Sequence, residues 1–276
     1  MKIAVVAPAN RLDPAVAARV TALAGELYPG RVTLAVHPQC FLSSGHFAGD
    51  DEARAAAFVE VTNDATVDAV WFARGGYGSC RILDLALPKL TAAAAKKTYL
   101  GYSDMGSLLG ALYAKGFKNL AHGPMPTDLV RDGGEAAVRR ALAYLVDRAP
   151  VSVEPDHDGA PRVAFNMATL AALVGTPHEP DLSGHVLLLE EIAEYMYRID
   201  RAFFSILSSP KMRRLAGLRL GRCTDIPTND PDFAKTEVEV AEHWCKRTGI
   251  PYLGRADIGH DAANKVVPFG GMSAVA

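Results

Sequence analysis

The feature that most restricts this chain is a series of short, almost uninterrupted apolar runs alternating with amphipathic segments through its first half. Residues 2–7, 31–36 and 67–73 are such runs, and Val16, Val20, Leu23 and Leu27 form a helical stripe within 13–27. A second helix is predicted over 51–61, so the order is strand, helix, strand, helix, strand. Strict alternation would mark a strand with one wet face, whereas these runs suit strands buried on both faces. A parallel sheet covered by helices provides that environment. Ligands of such sheets collect at the carboxyl ends of the strands.

Composition narrows the class of partner. At 276 residues the chain has room for one large domain or two modest ones. A formal net charge of −2 gives no general basic field for nucleic acid or anionic lipid, so neither is expected as a partner. No stretch approaches the roughly 20 apolar residues of a membrane span. The apolar run at the amino terminus is too short for a signal peptide, and no small-residue cleavage site follows it. Cys40, Cys80, Cys223 and Cys245 form no C-x-x-C pair, which fits reduced thiols in a cytoplasmic protein. Nothing asks for a metal or a cofactor, and none is expected.

The stretch Tyr99-Leu100-Gly101-Tyr102-Ser103-Asp104-Met105-Gly106 reads as a strand turning at once into a helix marked by Met105, Leu108, Leu109 and Leu112. A serine at such a corner lies beside the free N–H groups of the helix, where an oxyanion could be stabilised. Read alone, Ser103 or Asp104 serves equally well as a helix cap. The preceding strand ends in Arg74-Gly75-Gly76-Tyr77-Gly78-Ser79, followed by a predicted helix over 80–85. This turn could cradle phosphate, form half of an oxyanion hole, or simply be tight. Its spacing is neither G-x-G-x-x-G nor a P-loop, which weakens the phosphate reading. His122, ending a strand predicted over 119–123, is read as packing near the pocket.

A helix over 135–146 closes a first domain, 1–148. Pro150, Pro155, Gly159 and Pro161 mark a linker, 149–162, and a second domain follows over 163–276. There a helix is predicted over 166–174, then a buried strand over 185–189 that Glu190-Glu191 terminates. Met196, Ile199, Phe203 and Ile206 give the next helix an apolar face, and a strand around 215–220 precedes a helix over 237–246. His260 sits among small and polar residues, and 266–270 reads as a closing edge segment. A serine nucleophile needs a base, an acid to orient that base, and donors for the oxyanion. Ser103, His260, Glu190 or Glu191, and the backbone of Gly76 and Asp104 are the candidates, although Met105 breaks the G-x-S-x-G pattern.

The ordered set of Arg74-Gly75-Gly76-Tyr77-Gly78, Gly101-Tyr102-Ser103-Asp104, Leu189-Glu190-Glu191 with Tyr197-Arg198-Ile199-Asp200-Arg201, and Gly259-His260 with Asn264 and Pro268 resembles the LD-carboxypeptidase family. That family comprises serine peptidases that trim murein tetrapeptides and includes the microcin C self-immunity proteins. The resemblance implies Ser103 as nucleophile, Glu190 as acid, His260 as base, and Gly76 and Asp104 as oxyanion donors. It also implies an α/β fold, with a flavodoxin-like parallel sheet domain followed by a smaller mixed α/β domain, the site between them, and a homodimer. Glu190 and Glu191 point to opposite faces of a strand, so only one can reach His260.

A carboxypeptidase must bind a free carboxylate, for which Arg74 is the first candidate and Arg198 the second. The chain departs from the family pattern at Tyr102, Phe165, Glu191 and Met196, and the Phe165 and Met196 changes are expected to fall where the pocket is lined. The expected activity is hydrolysis of an LD-peptide bond in a small peptide, releasing terminal D-alanine in cell-wall recycling. The competing readings are cleavage of a peptidyl nucleotide by the same machinery and a non-catalytic module that binds a small ligand.

Overall fold

The apolar runs of the first half form five parallel strands, β1 (Lys2–Val6), β2 (Thr33–Val36), β3 (Ala69–Phe72), β4 (Thr98–Gly101) and β5 (Leu120–His122). A computed structural model of the chain describes residues 1–155 and 159–271. Part of the expected linker (156–158) and the end of the expected second domain (272–276) therefore lie outside the described residues. The strand order is β2-β1-β3-β4-β5, the flavodoxin-like order the resemblance implies. Helices α1 (Pro14–Leu27), α2 (Asp51–Asn63), α3 (Leu83–Ala86), α4 (Gly106–Ala114) and α5 (Gly134–Asp147) follow the strands. Every residue of β3, β4 and β5 is buried, which is why these runs carry no alternation.

Local signals set the ends of the helices. Asp13 and Asp50 accept hydrogen bonds from the Ala15 and Ala53 N–H groups and so start α1 and α2. The helix expected over 80–85 is shorter and tighter. A 3-10 turn, Ser79–Ile82, leads into α3, and Pro88, with no N–H to give, prevents its extension.

The second half forms a parallel sheet of β6 (Arg162–Asn166), β7 (Val186–Ile192), β8 (Gly217–Thr224) and β9 (Tyr252–Arg255), in that order. Its helices are α6 (Met167–Leu173), α7 (Met196–Ser208) and α8 (Glu237–Thr248). β6 is an element the sequence reading lacked, and it begins at the last residue assigned to the linker. Arg162, which looks like a surface residue in sequence, is only 2% exposed and pairs with the equally buried Glu154. Asn166 ends β6 and caps α6, accepting from the Thr169 N–H at 3.1 Å. β7 runs past Glu190 and Glu191 to Ile192, so the glutamates do not terminate it.

The closing segment, β10 (Val267–Pro268), pairs antiparallel with β5 and adds a sixth strand to the first sheet. The chain thus returns to its first domain, and the loop over 256–266 runs between the two sheets. The sheets share one buried apolar cluster. Within it Gly106 and Gly110 of α4 face Thr169, Leu173 and Phe165, and a Cβ on Gly110 would stand 2.8 Å from Leu173 Cδ1. Gly110→Val gains less than about 1 kcal/mol of helix propensity. Overpacking this contact costs about 1–3 kcal/mol. The variant is therefore expected to melt several degrees below the parent in a thermal unfolding scan.

Candidate active site

The corner after β4 is strained at its serine. Tyr102 is extended, and Ser103 then adopts φ +60°, a left-handed conformation that a non-glycine residue takes at some cost. This turn aims Ser103 toward Gly75, where a Cβ would lie 2.8 Å from the serine Oγ. Among the described residues no side-chain hydrogen bond caps the Ser103–Met105 turn or α4, so neither Ser103 nor Asp104 is the cap that either might have been. The Asp104 carboxylate instead accepts the Ser79 N–H at 2.8 Å, and the Ser79 hydroxyl donates to the Asp104 carbonyl at 2.5 Å. These two bonds tie the serine corner to the glycine-rich turn. Burial raises the Asp104 carboxyl above its ordinary value, although hydrogen bonds from the Ser79 and Gly78 backbone oppose the shift.

β7 sends its two glutamates to different tasks, as the two-residue period of a strand requires. Glu191 accepts from Asn166 Nδ2 at 2.6 Å and from the Ala168 and Ile192 N–H groups at 2.8 and 2.9 Å. It thus anchors the start of α6, with burial pushing its carboxyl up to about 7. Glu190 is fully buried, and its Oε2 lies 2.5 Å from His260 Nδ1. With Nδ1–H donating to the carboxylate, Nε2 keeps the lone pair, and among the described residues Nε2 has no hydrogen-bond partner. Burial disfavours the charged imidazole, but the attraction and hydrogen bond from Glu190 outweigh it, so the His260 pKa lies above its ordinary 6.5.

Ser103 and His260 line one cleft of about 500 Å³ with Arg74, Gly75, Gly76, Tyr102, Met125, Thr127, Val130, Arg131 and Ile192. The cleft lies at the carboxyl ends of β3, β4 and β7, where parallel sheets bind ligands. Gly76 has φ +107° with the Asn10 side chain packed beside it, so both the backbone and the space favour glycine. Arg74 is exposed to the cleft and makes no ion pair among the described residues.

Two expectations change, and that for His122, packing near the pocket, does not. Arg198 is not at this cleft; it pairs with Glu194 at 3.3 Å and lines a separate groove with Glu191 and Arg201. Phe165 and Met196 do not line the cleft, being buried in the apolar cluster shared by the two sheets. His122 is buried beside Tyr102, with ring centroids 5.5 Å apart, and burial pushes its pKa down to about 4. Arg131 and Asp128 went unnoticed in the sequence. Arg131 Nη1 donates to the His260 carbonyl at 2.8 Å, and Tyr102 Oη donates to Asp128 at 2.7 Å. Only the tyrosine at 102, with its buried hydroxyl in need of an acceptor, pointed toward them.

Residues 3–123 match the LD-carboxypeptidase N-terminal domain and residues 161–275 match the C-terminal domain. The chain belongs to the LD-carboxypeptidase family. It is 31% identical over 234 residues to a putative carboxypeptidase of Synechocystis, covering 82% of this chain and 75% of that protein. It is 29% identical to the murein tetrapeptide carboxypeptidase of Pseudomonas aeruginosa, covering 82% of this chain and 78% of that one. The muramoyltetrapeptide carboxypeptidase from Oxalobacter formigenes superposes with a TM-score of 0.80 at 25% identity, over 97% of this chain and 93% of that chain. The microcin self-immunity protein MccF in complex with glutamyl sulfamoyl guanosine shares the fold, with a TM-score of 0.79 at 16% identity over 98% of this chain and 91% of its own.

Within this cleft the Glu190–His260 pair sets a pH dependence. Because the folded pKa of His260 is raised, the stabilisation from the pair is fully present below about 6.5 and fades as pH rises through the folded value. Glu190→Gln removes the attraction and leaves the burial. Histidine resonances followed by NMR are therefore expected to titrate above 6.5 for His260 in the parent and below it in the variant.

Proposed function

We propose that this protein is a serine carboxypeptidase that cuts an LD-peptide bond and releases the terminal D-alanine of a murein tetrapeptide during cytoplasmic cell-wall recycling. The observation that carries the reading is the buried Glu190–His260 hydrogen bond beside a cleft that also holds a serine in a strained corner. Relatives named as murein peptide carboxypeptidases support the substrate class, and four free cysteines suit a reducing compartment.

Each part has a role. His260 Nε2 takes the Ser103 proton as the hydroxyl oxygen attacks the amide carbonyl carbon. Glu190 holds the ring in the tautomer that leaves Nε2 basic and stabilises the imidazolium that forms. The Gly76 and Asp104 N–H groups receive the oxyanion, each donor being worth about 3 kcal/mol of barrier. Collapse expels the amine of D-alanine, which takes its proton from His260, and a water activated by the same imidazole then frees the acyl group from Ser103. The Arg74 guanidinium pairs with the carboxylate of the leaving residue.

A second reading, cleavage of a peptidyl nucleotide, is favoured by one observation. Tyr195 and Tyr197 stack with centroids 5.6 Å apart beside a cleft of about 630 Å³ formed with residues 228–233. Such rings could receive a nucleobase. Incubating the protein with a murein tetrapeptide and with a peptidyl adenylate separates the two readings by product. Ser103→Ala is expected to lower D-alanine release about 10⁴-fold or more, and release at the parental rate would refute the proposal. Arg74→Gln is expected to raise KM about tenfold or more through loss of a charged hydrogen bond, with kcat little changed. Labelling of Ser103 by a fluorophosphonate distinguishes the enzyme from a module that only binds.

A further inference from the structure

A base carried on a loop between two sheets has to be held in register with a nucleophile on one of them. Side chains of the first domain grip this loop at its backbone. Arg131 Nη1 donates to the His260 carbonyl at 2.8 Å, and Arg140 Nη1 donates to the Ala262 and Asn264 carbonyls at 2.8 and 3.0 Å. Arg131 is itself fixed. Its Nε donates to Asp128 Oδ1 at 2.8 Å, and the same oxygen accepts the Tyr102 hydroxyl at 2.7 Å, while Asp128 Oδ2 accepts the Met125 N–H at 2.8 Å.

Tyr102 and Asp128 are each only 2% exposed, so the bond between them is shielded from competing water, while Arg131 is half-buried at the cleft wall. Tyr102 immediately precedes Ser103, and its ring lies 4.8 Å from the His260 imidazole. One continuous chain of hydrogen bonds therefore leads from the residue beside the nucleophile to the backbone of the base.

We propose that Tyr102, Asp128 and Arg131 are positioning residues that lock His260 to the serine corner and so keep nucleophile and base aligned. The inference rests on the reading of Ser103 and His260 as nucleophile and base. None of the three residues takes or gives a proton in the reaction. Asp128 joins the Tyr102 hydroxyl to Arg131, and Arg131 holds the His260 carbonyl, so removing either end breaks the same link.

The test follows the reaction of Ser103 with a fluorophosphonate in the parent, Tyr102→Phe, Arg131→Gln and the double variant. The maximal rate and the half-saturating concentration are measured separately, and thermal unfolding checks each fold. Tyr102→Phe keeps the ring and deletes the hydroxyl. It is expected to lower the maximal rate about tenfold while leaving half-saturation within about twofold, as small misalignments cost rate before affinity. The double variant is expected to react no more slowly than the slower single variant, because both changes break one link.

Single variants that react at the parental rate would overturn the proposal. So would a double loss equal to the product of the single losses, or an effect confined to half-saturation. Should Arg131→Gln fail to fold, Tyr102→Phe decides by its own rate. A parent that does not react at all refutes the nucleophile reading, and this inference with it, an outcome distinct from a reactive parent whose variants match it.

Discussion

The hydrogen bond between Glu190 and His260 is made out of water, and much of the second domain serves to make that tolerable. A buried carboxylate costs several kcal/mol in lost hydration unless a well-placed partner compensates. Here the partner lies at 2.5 Å and the surroundings are shaped to admit it. Gly221 of β8 faces Glu190 Cβ and the Ile258 carbonyl, and a Cβ at 221 would stand 2.7 Å from that oxygen. The missing side chain lets the His260 loop approach Glu190. Arg222, the next residue, grips the same loop by both flanks of His260, holding Asp257 at 2.6 Å and Asp261 through two nitrogens. The loop is thus closed around its histidine by charge as well as by backbone.

The serine corner depends on a different constraint, that of backbone strain. A left-handed serine costs of order 1–3 kcal/mol and persists only where its neighbours leave no alternative. Asp104 and Ser79 supply that constraint by bonding the corner to the glycine-rich turn twice. Arg54 secures the turn from below, with Nη1 donating to the Gly78 carbonyl at 2.8 Å and its guanidinium 4.6 Å from the Phe47 ring. Burying an arginine completely is costly, and here Nη1 bonds the Pro8 and Gly78 carbonyls while Nη2 pairs with the Asp51 carboxylate at the start of α2.

The sequence spoke clearly where local chemistry decides structure. Unbroken apolar runs told of a parallel sheet, and the apolar stripe within 13–27 told of α1, because two-faced burial and a helical period each leave a short-range pattern. β6 left none, since Arg162 and Asn166 at its ends are polar residues that only tertiary partners make buryable. Met196 and Phe165 were misjudged for a related reason. Their types suit a pocket or a core equally, and only the packing of the two sheets chooses. Ser103, Glu190 and His260 were nameable as a group through family resemblance. Arg131 and Asp128 were not, because their value comes from contacts with a loop about 130 residues distant, beyond any local periodicity.

The return of the chain to its first sheet explains how parts so far apart in sequence share one cleft. Ser103 and Gly76 belong to the first sheet and Glu190 to the second, so relative motion of the sheets would part the serine from the acid. His260 sits on the segment that answers to both. Behind it Val266 exchanges backbone hydrogen bonds with Ser152 and Glu154, and Val267 pairs with His122 in the first sheet. Ahead of it the Ala256 N–H donates to Leu220 of the second sheet. His260 is therefore located by the docking of the domains as much as by its own loop. The close contact between the glycines of α4 and the side chains of Thr169 and Leu173 thereby helps to shape the cleft, because it sets the distance the histidine has to span.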